Sequence, residues 1–456
     1  MIIYNFNKPF IYFICIVSAM GGLLFGYDWV VIGGAKIFYE EFFGIAGNQW
    51  MIGLATSIAL AGCMIGALTC GALADRYGRK LLLILAAFIF VVSSIGTGAF
   101  NNFYWFLVAR FIGGIAIGIA SGLSPMYIAE VAPTSIRGKL VTVNQLTIVI
   151  GILAAQIVNW AIAGTHEISW NTEWGWRWMF WLTAVPAMFF LVLSFFIPES
   201  PRWHALVGRS QEAKVTLVKI GGEKYADDEL NAFVEASEAA ESEEKGGLGL
   251  LLSKPFHKVL LLGIVVAFFQ QWCGTNVIFN YAQEIFQSAG YDVDNTFINI
   301  VITGIANLVF TVVALFTVEK LGRRALMLMG AGGLAGIYLI LGACYHFNVS
   351  GIFMVILCVL AIACYAMTLG PITWVLISEI FPNRVRAVAV ATSTLFLWLG
   401  SFTLTLSFPL LNGSLGTSGT FWIYTAICVA AFAYFYRTLP ETKGKSLEQL
   451  EKDLIK

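Results

Sequence analysis

Charge is what this sequence has least of. Only 27 basic and 27 acidic residues occur among 456, 12% in all, against about 25% in ordinary soluble domains. With 59% hydrophobic residues and a mean hydropathy of +0.80, this scarcity excludes a soluble enzyme. A net charge of zero removes the basic surplus a nucleic-acid partner requires. Histidine is equally sparse. His166, His204, His257 and His346 stand apart, near the ends of apolar stretches or in loops, which leaves neither a metal cluster nor a histidine relay. The eight cysteines form no CxxC and fall inside apolar stretches, so they read as packing thiols. No cofactor and no catalytic nucleophile is implied.

What is abundant is apolar sequence in lengths near 20 residues, enough to cross about 30 Å of hydrocarbon. Twelve such spans are expected: 10–35, 50–73, 81–99, 103–129, 141–163, 178–197, 259–283, 296–318, 325–345, 352–378, 387–411 and 420–438. Val17-Ser18-Ala19 loosely fits a signal-peptide cleavage site, but the apolar stretch runs on past it, so it reads as the first span. The fold class is therefore an all-α membrane protein. The expected organisation is an N-terminal six-helix bundle over 1–197, a polar helical linker over 198–258, a C-terminal six-helix bundle over 259–438 and a tail over 439–456. The linker carries the acidic run from Asp227-Asp228-Glu229 to Glu243-Glu244, followed by Gly246-Gly247.

Lysine and arginine set the orientation. One side collects Arg76, Arg79, Lys80, Arg137, Lys139, Lys320, Arg323, Arg324, Arg384, Arg386, Arg437, Lys443 and Lys445, while the other offers little beyond Lys36 and Arg177. Both termini and the linker are expected in the cytoplasm, and the localisation is the cytoplasmic membrane as a multi-pass protein. The partner is the bilayer.

An internal repeat organises the chain. Asp75-Arg76-Tyr77-Gly78-Arg79-Lys80 returns 244 residues later as Glu319-Lys320-Leu321-Gly322-Arg323-Arg324. Glu130-x6-Arg137 returns 249 later as Glu379-x6-Arg386, and Pro198-Glu199-Ser200 returns 242 later as Pro440-Glu441-Thr442. Six spans per half make the repeats parallel, related by an axis along the membrane normal, with a solute site expected at midplane between them. Gly62-x3-Gly66 and Gly114-x3-Gly118-x3-Gly122 predict close helix packing.

Taken in order, GGLLFGYD (21–28), GALADRYGRK (71–80), SPMYIAEVAPTSIRGKL (124–140), PESPRW (198–203), QQWCGTN (270–276), GPITWVLISEIFPNRVRA (370–387) and PETKGKSLEQLE (440–451) resemble the sugar porter family of the major facilitator superfamily. The resemblance implies two six-helix halves rocking in alternating access, with a monosaccharide as cargo.

Asp28 in span 1 and Arg110 in span 4 read as the only charges well inside apolar stretches. An unpaired charge at the bilayer centre costs at least about 2.5 to 3.5 kcal/mol, so the two are expected to face each other. A fixed ion pair joining two helices is one reading, a proton-carrying acid the other. The resemblance favours the second, because proton symporters in this family carry the acid of FGYD whereas facilitative glucose carriers usually have Asn there. On that reading protonation of Asp28 loosens Arg110 and admits sugar.

A sugar needs amides that donate and accept, and an aromatic platform. Gln145 and Gln156 share a face of span 5, while Asn276, Asn280 and Gln283 follow Gly274 in span 7, with Gln270 and Gln271 before it. Thr394, Trp398, Ser401 and Thr405 form a stripe in span 11, and Trp374 follows the Gly370-Pro371 break of span 10. Any one amide is equally well an interhelical hydrogen bond, and either Trp an interface aromatic. By resemblance, Gln145, Gln270, Gln271, Asn276, Asn307 and Trp374 contact sugar, and Phe25 and Trp398 line the pocket. Ile152, Asn280-Tyr281 and Leu397 depart from the family pattern and leave pentose against hexose open.

At the basic end, Asp75, Arg79, Glu130, Arg137, Glu199, Glu319, Arg323, Glu379, Arg386 and Glu441 read as a gate that closes the inside, with topology-setting charge as the alternative. Neutralising Glu379 or Arg386 should bias the carrier inward-open. The expected function is proton-coupled monosaccharide symport by a monomer. The alternatives are a passive facilitative carrier or a non-transporting sugar sensor.

Overall fold

The computed structural model describes residues 4–242, 248–253, 256–382 and 385–443, and among these there are helices and no strand. Span 1 is Lys8–Phe42, opened by Asn7, whose side chain accepts from the Phe10 N–H, with Pro9 in the first turn where a missing N–H costs nothing. Span 2, Gln49–Tyr77, and span 4, Phe103–Val131, start on Asn48 and Asn102 in the same way. Span 3 is Arg79–Ala99, span 5 is Arg137–Thr165 and span 6 is Ile168–Ser194.

Span 6 starts ten residues before the expected 178, because the polar run Asn171–Glu173 sits in a π-helical turn, Asn171–Gly175, that hydropathy alone hides. The Asn171 amide there donates to the Ala163 and His166 carbonyls, 3.1 Å each. The helix breaks at Leu182–Thr183, four residues before Pro186, whose ring excludes the i−4 carbonyl.

The linker contains Pro201–Leu206 and Ser210–Ser242, the latter turned at Gly222. Asp227–Glu229 lie in that helix, whereas Glu243, Glu244 and Gly246-Gly247 lie outside the described residues, as do Arg384 and Lys445.

Span 7 is a broken helix. His257–Trp272 ends at Gly274, which takes φ +88°, then Thr275–Asn280 and Ala282–Ser288 follow with a second interruption at Tyr281. Span 8 is Val293–Leu321 and span 9 is Arg323–His346. Span 10 divides into Ile352–Met367 and Leu369–Glu379. Its break falls at Thr368, not at Gly370-Pro371. Pro371 instead occupies the first turn of the second segment, where no intrahelical N–H is needed. Spans 11 and 12 are the two arms of Arg386–Thr438, separated at Gly416 with φ 69°. The chain thus has twelve transmembrane helices in two six-helix repeats.

Spans 2 and 4 touch at the backbone. A Cβ on Gly62 would come within 2.1 Å of the Phe111 carbonyl, and one on Gly114 within 1.9 Å of the Ala59 carbonyl. Gly122, by contrast, meets only the Cys70 sulfur at 3.6 Å, an ordinary contact.

The halves meet through span 2 against span 11, span 5 against span 8, and span 1 against span 7. At the end opposite the basic loops this interface is shut. A Cβ on Gly33 would lie 2.9 Å from the Phe279 carbonyl, so no solute passes between spans 1 and 7 there.

Candidate functional site

Asp28 and Arg110 meet. The Arg110 guanidinium donates from Nη1 to both Asp28 carboxylate oxygens, at 2.8 and 3.0 Å, and the two residues are 3% and 5% exposed for Arg110 and Asp28 respectively. Arg110 also lies 5.3 Å from the centre of the Phe180 ring. The pair borders a cavity of about 10 Å³ whose lining includes Phe25, Trp29, Thr56, Cys63 and Trp398. That is about the least room that holds one water. Phe25 and Trp398 pack 5.7 Å apart across it, and the Trp398 indole N–H has no partner among the described residues. A buried, ion-paired carboxylate and an aromatic pair therefore share one void.

Around Gly274 the amides form a chain. Gln270 donates to the Tyr365 hydroxyl at 2.6 Å. Gln271 donates to Gln270, and Asn276 donates to Gln271. All three amides are buried. The Gly274 turn makes the chain possible, because it brings the end of one helical segment and the start of the next onto a single wall. Beyond it, the second break at Tyr281 takes Gln283 off the regular i, i+4, i+7 face expected with Asn276 and Asn280. Gln283 turns to span 1 and donates to the Gly34 carbonyl at 3.0 Å.

The remaining expected contacts are not joined to this chain. Gln145 is half-buried and Asn307 buried, and neither hydrogen-bonds to another of these amides. Trp374 is 40% exposed and pairs with no other ring among the described residues. Gln156 is buried against Gly304 of span 8, with both amide atoms unpartnered among the described residues. Tyr365, Trp29 and Thr56 escaped the sequence reading. Neither periodicity nor charge marks them, and only the folded contacts bring them to the site.

At the basic end the pairing differs from the simple motif order. Glu130 pairs not with Arg137 but with Arg79, through contacts of 2.9 and 3.0 Å, while Asp75 lies 3.3 Å from Arg79. Glu379 pairs not with Arg386 but with Arg323 at 3.1 Å. Arg137 and Arg386 each donate instead to a carbonyl at the end of the preceding segment, Ala132 and Phe381. Helix ends leave carbonyls unsatisfied, and a following arginine is the nearest donor. The side chain of Glu319 lies outside the described residues.

Glu199 accepts from the backbone N–H groups of Arg79 and Lys80, at the start of span 3. Glu441 accepts from those of Arg323 and Arg324, at the start of span 9. Partial burial pushes the Glu441 carboxyl up. The N–H donors of Lys443, Arg323, Arg324 and Thr442 outweigh that and hold it below the usual glutamate value. A depressed carboxyl stabilises the fold above its unfolded value, and that contribution is lost as pH falls through its folded value. Glu441→Gln is therefore expected to lower thermal stability at neutral pH by about 0.3 to 1 kcal/mol, the usual size of a carboxylate at a helix N-terminus. The difference should shrink as pH drops below about 4.5, the ordinary glutamate value. Thermal aggregation of detergent-solubilised protein at several pH values measures it.

Two charges placed by sequence in the loops opposite the basic end are in fact buried. Lys36 lies within span 1, 2% exposed, and binds Glu284 and Glu40. Arg177 is 4% exposed and donates to the Gly98 carbonyl and the Asn101 side chain, 2.8 Å each. Asp28 and Arg110 are thus not the only charges inside the helices. The helix runs past Lys36 because a partner is supplied for it, a fact invisible to hydropathy.

A family model described as "Sugar (and other) transporter" matches residues 14–454. The arabinose-proton symporter of Bacillus subtilis is 37% identical, covering 99% of this chain and 96% of that protein. The inward open conformation of the xylose transporter XylE from E. coli superposes with a TM-score of 0.86 at 35% identity, covering 97% of this chain and 100% of that one. The proton:xylose symporter XylE bound to 6-bromo-6-deoxy-D-glucose gives 0.82 at 36% identity, with 98% and 100% covered.

Proposed function

Because the chain belongs to the sugar transporter family, we infer that it is a proton-coupled monosaccharide symporter working by alternating access. The observation that carries this is the single void shared by the Asp28–Arg110 pair and the Phe25–Trp398 pair. A proton taken by Asp28 weakens its hold on Arg110, and it does so within reach of the wall that receives the sugar. The amide chain of Gln270, Gln271 and Asn276 supplies donors and acceptors for hydroxyls, with Gln145, Asn307 and Trp374 completing the pocket as the halves move. A pentose or a hexose fits this chemistry, and the names of the relatives span both, arabinose and xylose as well as glucose.

The Arg/Lys-rich end faces the cytoplasm, with both termini, so that the shut end is the outer one. The shut outer end and the likeness to an inward open carrier support an inward-facing state. The charges Asp75, Arg79, Glu130 and Glu199, and in the second half Arg323, Glu379 and Glu441, brace each half at its cytoplasmic end, and Arg137 and Arg386 tie the entries of spans 5 and 11. The bundles 1–197 and 259–438 move as bodies, joined by 198–258 and followed by the tail 439–456, in a protein that works as a monomer in the cytoplasmic membrane.

The test is uptake by reconstituted proteoliposomes from a panel of labelled pentoses and hexoses, with and without an imposed pH gradient. One sugar is expected to accumulate when the outside is acid, with alkalinisation of the medium. Uptake that merely equilibrates, at the same rate with and without the gradient, would leave passive facilitation.

A further inference from the structure

Resting on the reading of this chain as an alternating-access carrier, we propose that Lys36 is the positioning residue that holds the outer end closed, by clamping span 1 to the outer part of span 7. Its ammonium donates to the Glu284 carboxylate of span 7, has Glu40 one helical turn away at 3.7 Å, and lies 4.0 Å above the Tyr281 ring. The Tyr281 hydroxyl in turn donates to the Thr405 carbonyl of span 11 at 2.6 Å. One cation thus links the first half to two helices of the second. The neighbouring contacts share its geometry, since Gln283 donates to the Gly34 carbonyl and Gly33 abuts the Phe279 carbonyl. These surroundings exist only while spans 1 and 7 are together.

The energetics favour a clamp over passive packing. Two carboxylates converge on one ammonium, and Lys36 is 2% exposed. Removing the cation leaves the Glu40 and Glu284 carboxylates, 14% and 31% exposed, without the charge that draws them together, an unfavourable arrangement while the helices stay closed. Separation of spans 1 and 7 hydrates both and relieves it. Loss of Lys36 therefore raises the free energy of the outer-closed state alone and shifts the population toward outer-open. Loss of Lys36 together with Glu284 leaves one carboxylate and much less to relieve. Neither residue touches the Asp28 cavity, so proton coupling is a separate matter.

The test uses the full chain in proteoliposomes with a Phe297→Cys reporter. Phe297 is buried and stacked on Phe38 of span 1, 6.4 Å between ring centres, so it is reached from outside only when the halves part. A membrane-impermeant maleimide is expected to label the reporter about tenfold faster or more in Lys36→Met, the size of a shift of roughly 1.4 kcal/mol. Half-saturation for external sugar should fall and maximal uptake should slow. Labelling in Lys36→Met/Glu284→Gln should return toward the parent rate. Parent-like labelling in a Lys36→Met protein whose melting temperature matches the parent's would overturn the proposal. If Lys36→Met does not fold, the exchange variant Lys36→Glu/Glu284→Lys decides. Parent-like labelling supports the clamp, and fast labelling refutes it. A parent without sugar counterflow refutes the carrier reading itself, whereas the clamp is judged on labelling.

Discussion

Asp28→Asn is expected to abolish uphill accumulation while leaving sugar exchange within a few-fold of the parent. Asparagine has the shape of the protonated acid and cannot release a proton, so the variant stays on the sugar-competent arm of the cycle and equilibrates its cargo. For one proton per sugar, each unit of imposed pH gradient supports about tenfold accumulation, about 1.4 kcal/mol. The variant's ratio should be unity at any gradient. Arg110 then loses its buried counter-charge and keeps only a neutral acceptor where it now has two carboxylate oxygens at 2.8 and 3.0 Å. Some loss of thermal stability is therefore also expected. Accumulation and counterflow in the same vesicles measure the effect. A variant that still concentrates sugar sinks the assignment of Asp28 as the coupling acid.

The second large effect is expected at Gln271. Its amide stands between Gln270 and Asn276, one on each side of the Gly274 turn. Gln271→Ala removes its own contacts to a hydroxylated ligand and leaves two buried amides short of a partner. At about 1 kcal/mol per hydrogen bond and 1 to 3 kcal/mol per stranded group, sugar affinity should fall by about 10- to 100-fold or more. The proton-to-sugar ratio should not change, because the Asp28–Arg110 pair is untouched. Equilibrium sugar binding together with stoichiometry of proton uptake separates the two. Unaltered affinity would remove this amide chain from the sugar site.

The parts of the chain legible in sequence are those fixed by the bilayer. Hydropathy carries the spans, because twenty apolar residues in a row have few other uses. The recurrence of Asp75–Lys80 as Glu319–Arg324 carries the division into parallel halves. Asp28 and Arg110 were legible because two charges in hydrocarbon have few ways to be stable except together. Lys36 was not, for the same rule turned around: a lone lysine at the end of an apolar run reads as the edge of the membrane. Only a partner 248 residues away lets the helix continue to Phe42. Likewise Glu130 and Arg137 are neighbours in sequence, yet the fold gives Glu130 to Arg79, because Arg137 meets a free carbonyl first. The start of span 6 was hidden by polar residues that a π-helical turn can hold and a hydropathy window cannot.

The offset of 244 residues that relates the two basic loops also maps Glu40 onto Glu284 and Lys36 onto Asn280. The acid of one half and the acid 244 residues further on thus both reach the Lys36 ammonium. A single lysine, with asparagine 244 residues further on, bridges the two acids, so this junction rests on a place where the halves differ.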